Sequence, residues 1–492
     1  GLNVAMGYRS MYENTTGAYN VALGHSALLN NTTASNNTAV GNVSLYSNTT
    51  GTNNVALGNN SLQPNTTGSQ NTALGKGASA SNSTGSNNTS VGFEALVSNT
   101  TASYNTAVGY VSLYSNTTGA DNTAMGTAAM YPNTTGNYNA AFGSASLRQN
   151  TTGSNNTALG QSALNQNTTA SNNTAVGYKA LYANTTGTSN NVLGYQAGSS
   201  NTTGGSNTAM GHNALSANTT GFGNSAFGIQ TLYRNTTANY NTAMGYATLQ
   251  ENTTGTENVA IGGFSLDANV TGDYNTAVGT SALSASTGDA NTAIGRHALK
   301  SNTTASNNTA VGYQAGYSNT TGTQNTFLGV QSGYSNTASY NTFLGTATGY
   351  ANTTGVANAI VGGPNTANPT FYYNTTGSYN TVLGSGALSA NTTASNNTAV
   401  GYQAGYSNTT GAYCTYIGKG SGYTNTTSSG NVFVGENTGF FSTGGNNVFI
   451  GNGTSTASGY NMTTGSRNTI VGGFGGNQGG LDIRTSSNNI VL

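Results

Sequence analysis

Three histidines, one cysteine and ten carboxylates are the residues of this 492-residue chain that could carry nucleophilic, acid–base or metal chemistry. A serine or cysteine nucleophile needs a base within hydrogen-bond reach and a third group to orient that base. His25, His212, His297 and Cys414 lie far apart in the sequence, and the acids, from Glu13 to Asp482, stand singly. The Asp-rich nonapeptide of calcium-binding β-rolls is absent. Gly-x-x-Gly strings such as Gly472 to Gly476 open no helix, so they are not phosphate loops. The expectation is no catalytic residue, no metal and no cofactor.

Two other sets of residues could do chemistry. Asn-Thr-Thr recurs at Asn14, Asn31, Asn48, Asn65, Asn99 and Asn116, and each asparagine is formally an N-glycosylation acceptor. The competing reading is structural: identical turns stacked so that the amides bond along a ladder. Tyrosines such as Tyr46, Tyr110, Tyr114, Tyr178, Tyr182 and Tyr313 are either stacked on one another or form a sugar-binding or adhesive face.

What positions these residues is a strict repeat, typified by Asn173 to Ser189. Glycines recur every 17 residues from Gly7 through Gly177 to Gly279, and with small variations on to Gly472. We number each unit from its first asparagine. Position 4 is always large and apolar (Val40, Val176), position 5 is the glycine, and positions 12 to 15 read Asn-Thr-Thr-Gly or Asn-Thr-Thr-Ala. Apolar runs of two or three residues fenced by Gly and Asn cannot make helices but suit short strands and tight turns. Seventeen residues cannot bury a core alone, so the units must stack. The expected fold is all-β: a parallel β-solenoid, or β-roll, with one repeat per rung and about 28 rungs spaced about 4.8 Å apart.

The repeat makes residues 1–492 one continuous domain, with regular Ala/Leu rungs over 1–311 and variant rungs over 312–492. In the variant rungs position 3 becomes bulky, as at Phe327, Phe343, Phe433 and Phe449, while position 9 becomes glycine. Gly316 precedes Phe327 and Gly405 precedes Tyr416, whereas Leu28 precedes Ala39. Compensating volumes mean contact, so positions 3 and 9 should share one buried layer. Position 4, next to position 3 on a strand, then points to the other face. Both faces being apolar, something besides the coil should cover the second, and residues such as Val40 and Val176 belong to core or assembly. Two insertions, 363–374 and 452–464, break the beat; the first carries Pro364, Pro369 and then Phe371, Tyr372 and Tyr373, a candidate binding loop.

The strings Asn-Val-Ala-Met-Gly at Asn3 to Gly7 and Asn-Val-Ala-Ile-Gly at Asn258 to Gly262 resemble the repeats of trimeric autotransporter adhesin heads. The unit Asn308 to Gly322 resembles repeats of phage tail-fibre-like and bacterial surface proteins. These resemblances imply a left-handed coil, a homotrimer or a lateral filament, and an extracellular, cell-surface or virion-fibre setting. The 17-residue period departs from the shorter adhesin repeat.

Charged residues are 4% of the chain and its net charge is zero, which disfavours nucleic acid as a partner. No apolar run is long enough for a transmembrane helix. Because the chain begins and ends inside a repeat, it reads as a fragment or mature segment. A lone cysteine allows no intrachain disulfide; Cys414 fills a small ladder slot or meets a neighbouring chain. The preferred function is an extracellular structural rod or fibre. The rivals are a module that binds glycans or a host surface through its flank or loops, and an ice-binding solenoid.

Overall fold

The computed structural model describes residues 1–363, 369–451, 453 and 456–492. It is a β-solenoid built from strands of three residues, one per repeat, from β1 (Val4–Met6) to β28 (Thr469–Val471). Each of these strands occupies positions 2 to 4, and within each of the two units described next it pairs in parallel with the same positions of the neighbouring rung, as Thr174, Ala175 and Val176 do with Asn191, Val192 and Leu193. The chain forms two compact units, Gly1–Met244 with Asn252–Thr254, and Gly245–Glu251 with Gly255–Leu492. The first contains β1 to β15 (Thr242–Met244). The second contains β16 (Val259–Ile261) to β28, then β29 (Asn477–Gln478) and β30 (Leu481–Asp482), which form an antiparallel hairpin, and β31 (Ile490–Val491), which rejoins β28.

The rest of each rung is turn, yet it is bonded to its neighbours as thoroughly as a strand. Leu181 N–H donates to Ala197 O at 2.9 Å and Ala183 N–H to Ser199 O at 3.1 Å. Positions 7, 9 and 17 hold the backbone in the left-handed region, as at Lys179 (φ 52°), Leu181 (φ 52°) and Ser189 (φ 60°). A non-glycine residue bears a conformational cost there, and the inter-rung bonds and the burial of leucine at position 9 offset it. Position 5 admits no side chain at all. Gly177 lies at φ +131°, and a Cβ on it would sit 2.4 Å from Gly194 O.

The core is one layer thick. Ala175 at position 3 and Leu181 at position 9 are buried, while position 4 points outward. Where position 3 is aromatic the flanking glycines make room: a Cβ on Gly316 would lie 2.6 Å from the Phe327 ring, and one on Gly333 2.5 Å from it. Phe327, Phe343, Phe433 and Phe449 are all fully buried in this layer.

Changes of repeat length fall where the rung tolerates them. The 16-residue units lack position 14, an exposed turn residue, as in Ser286-Thr287-Gly288. Both insertions enter between the position-5 glycine and position 8. Thr370 then resumes the rung, its hydroxyl donating to Gly384 O at 2.9 Å. Pro364 lies outside the described residues.

Candidate functional surfaces

The asparagines are the most heavily used polar groups, and they form two buried columns. At position 12, Asn184 Nδ2 donates to Asn167 Oδ1 at 3.0 Å and to Gly187 O at 2.9 Å. At position 1, Asn173 Oδ1 accepts the Asn190 N–H at 2.9 Å while its Nδ2 donates to Gly187 O at 3.0 Å. Both columns thus converge on the carbonyl of position 15, a glycine, alanine or serine, where the next rung packs close: a Cβ on Gly187 would lie 2.2 Å from Gly204 O. The second column and this convergence were not foreseen from the sequence, although the restriction of position 15 to Gly, Ala or Ser was a visible signal.

This geometry argues against the glycosylation reading. Asn31, Asn48, Asn65, Asn99 and Asn116 are fully buried, and Asn14 is partly buried. The nitrogen a glycan would occupy is already spent, in Asn48 on Asn31 Oδ1 at 2.9 Å and Gly51 O at 2.9 Å. At the five fully buried asparagines the folded chain has no room for a sugar. Position-13 threonines bond the next rung, as Thr185 Oγ1 does to Thr202 O at 3.1 Å.

Two of the scattered acids and two of the histidines make contacts between rungs. Where position 16 is serine, asparagine or aspartate its side chain accepts the position-16 N–H of the rung before: Asn137 accepts the Ala120 N–H at 2.8 Å, Asp273 the Thr256 N–H at 2.6 Å and Asp289 the Asp273 N–H at 2.9 Å. His25 stacks on Tyr8 and His212 on Tyr195, with ring centroids 5.3 and 5.1 Å apart. His297 has its pKa pushed down by burial and by Lys300 and Arg296. Cys414 replaces the position-1 asparagine; it is buried, which pushes its thiol pKa up, and its own N–H still reaches Asn397 Oδ1 at 2.8 Å. Among the described residues no three His, Cys, Asp or Glu side chains gather as metal ligands, and no helix is long and apolar enough to cross a membrane.

Asp267 is the one carboxylate the fold disfavours. Its Oδ1 is buried without a hydrogen-bond partner, and burial, with a lesser contribution from Glu251, raises its pKa. An acid with a raised folded pKa favours folding most below its unfolded pKa and loses that contribution as pH rises through the folded value. Asp267→Asn should therefore raise the melting temperature at pH 7 and leave it unchanged at pH 3; equal shifts at both pH values would contradict the assignment.

The candidate binding loop of Phe371, Tyr372 and Tyr373 is largely part of the rung. Phe371 occupies the position-9 slot and is fully buried. Tyr372 ends a column of stacked position-10 rings, Tyr317, Tyr334, Tyr350 and Tyr372, with successive centroids 5.0, 4.9 and 4.9 Å apart. Only Tyr373 of the three is well exposed, at 54%. The insertion's aromatics resumed the repeat pattern one residue after Pro369, which is the signal that distinguishes a resumed rung from a loop tip.

Two surfaces among the described residues bear on function. The first is an apolar stripe at position 4. Leu57, Leu159, Leu193 and Met244 in the first unit are 46–48% exposed, as is Leu328 (46%) in the second. Val40 and Val176 belong to this stripe and are partly exposed, so they contribute nothing to the core of their own coil. The second is a pair of polar grooves in the first unit, one lined by Arg148, Gln149, Asn165, Gln166 and Tyr182, the other by Gln196, Ser199, Asn213, Ser216 and Tyr233. No protein-family model matches the chain and no curated protein matches it, so the functional reading rests on these surfaces.

Proposed function

We propose that this chain is a non-catalytic structural fibre segment that assembles with copies of itself, as a parallel homotrimer, through the position-4 stripe. The observation that supports this reading is the stripe itself: one large apolar side chain per rung, outward-facing, in every complete unit. Exposed apolar surface of such extent marks an interaction site. A partner that matches side chains recurring at one rung spacing needs the same period, and a second copy in register has it. The resemblance to adhesin-head repeats adds the setting, outside a cell on its surface or on a virion.

The test is the mass of the assembly in solution. The wild-type chain should sediment at three times the chain mass. Changing Val40, Val108 and Val176 together to Asp should give monomers with an unchanged circular dichroism spectrum, because uncompensated charges buried in the interface cost several kcal/mol while the same residues are partly exposed in a single coil. A stable wild-type monomer would overturn the trimer. If that monomer also showed thermal hysteresis, the stripe and the threonines beside it at position 2 would be an ice-binding face.

A further inference from the structure

The position-10 column of the first unit reads Tyr114, Tyr131, Arg148, Asn165, Tyr182, Ser199, Ser216, Tyr233. Tyr114 and Tyr131 stack on each other, with centroids 5.0 Å apart. Tyr182 and Tyr233 have no aromatic neighbour one rung away in their column, so both faces of each ring lack an aromatic partner. Shallow grooves open beside them, of about 470 Å³ at Tyr182 and about 290 Å³ at Tyr233. Asn165 forms part of the first groove, its Nδ2 tied to Ala145 O at 2.9 Å. Gln149, Gln166 and Arg148 are exposed around it, and the Lys179 ammonium lies over one face of the Tyr182 ring, 5.5 Å from its centre, which leaves the other face for a ligand.

We propose that the two grooves are subsites for one linear polysaccharide bearing anionic groups. A tyrosine ring offers an apolar face to the C–H side of a pyranose, and a polar tip to its edge. Carboxamides and hydroxyls, which both donate and accept, suit arrays of sugar hydroxyls. Arg148 supplies a bidentate fork for a carboxylate or sulfate, reinforced by Lys179. The two rings are three rungs apart, about 14 Å at the usual strand spacing, so one extended chain can reach both. A peptide is the poorer fit, since peptide recognition draws on an open strand edge or an apolar groove, and these grooves are lined mainly by amides and hydroxyls. Positions 10 and 11 take no part in the position-4 stripe, so the site is compatible with self-assembly and does not depend on it.

The experiment is affinity electrophoresis of the full chain in gels containing alginate, dextran sulfate or neutral dextran. Alginate, dextran sulfate or both should retard the wild-type chain, and dextran much less; which polyanion is bound separates carboxylate from sulfate recognition. Tyr182→Ala and Gln166→Ala should each weaken retardation about tenfold or more, Tyr233→Ala should weaken it measurably, and Arg148→Gln should abolish the preference over dextran. Tyr350→Ala, in the middle of the stacked column of the other unit, should bind like wild type. Circular dichroism checks that each variant is folded, and Gln166→Ala, at an exposed position, keeps the test decisive if a tyrosine variant is not. Binding of none of the three polymers, equal binding of dextran, or undiminished binding by folded Gln166→Ala and Tyr182→Ala would overturn the proposal.

Discussion

Replacing Asn173 with leucine should destabilise the first unit by roughly 2–4 kcal/mol. Leucine has the same number of side-chain heavy atoms as asparagine but is bulkier, so some overpacking adds to the loss of hydrogen bonds. Asn173 Oδ1 is the acceptor for the Asn190 N–H, and Nδ2 is one of two donors to Gly187 O. The first loss orphans a buried N–H, at about 1–3 kcal/mol, and the second removes a bond worth about 1 kcal/mol net. Gly187 O keeps its bond from Asn184 at 2.9 Å, which is why the total stays below that of two orphaned groups. The chain contains a milder version of the same break. At Cys414 the thiol donates to Ser428 O, the position-15 carbonyl, at 3.4 Å, where an asparagine Nδ2 donates in other rungs. Asn173→Cys should therefore cost less than Asn173→Leu. Chemical denaturation of both variants provides the measurement; a leucine variant within 0.5 kcal/mol of wild type would show that the ladder contributes little.

Phe327→Ala should cost about 3–5 kcal/mol, the range for emptying a buried aromatic site, and Gly316→Leu should recover a large part of it. The ring of Phe327 fills the space that position-9 leucines fill elsewhere, with the absent Cβ of Gly316 only 2.6 Å away. Alone, Gly316→Leu overpacks the layer and is destabilising. Combined, the two changes recreate the alternation of Leu28 and Ala39, both fully buried in the first unit. Leucine tolerates the required backbone: Leu299, one rung before Gly316, sits at φ 47°. The double variant should be more stable than either single change. A cost equal to the sum of the two would show that positions 3 and 9 do not share a layer.

Much of this architecture was legible in the sequence because it depends on periodicity and volume. The glycine beat defines the rung, since Gly177 sits where any Cβ would strike the next rung's carbonyl. The exchange of Leu and Ala for Gly and Phe at positions 9 and 3 disclosed one shared layer, because close packing makes touching residues covary in size. That position 4 faces away from this layer followed from strand alternation alone.

Only the tertiary structure decided which polar groups are spent. Asn48 and Asn31 carry the same sequon letters that an exposed acceptor would, and only their position inside the coil withdraws the amide nitrogen from chemistry. Phe371 and Tyr373, two residues apart, differ completely in fate: one fills the position-9 slot and the other faces solvent. A local string cannot report this, because side-chain direction depends on where the rung resumes after the insertion. The grooves beside Tyr182 and Tyr233 were equally hidden, since a groove arises from residues 17 apart becoming neighbours. The sequence determines the repeat through size and backbone freedom; stacking decides exposure, because exposure belongs to the rungs above and below.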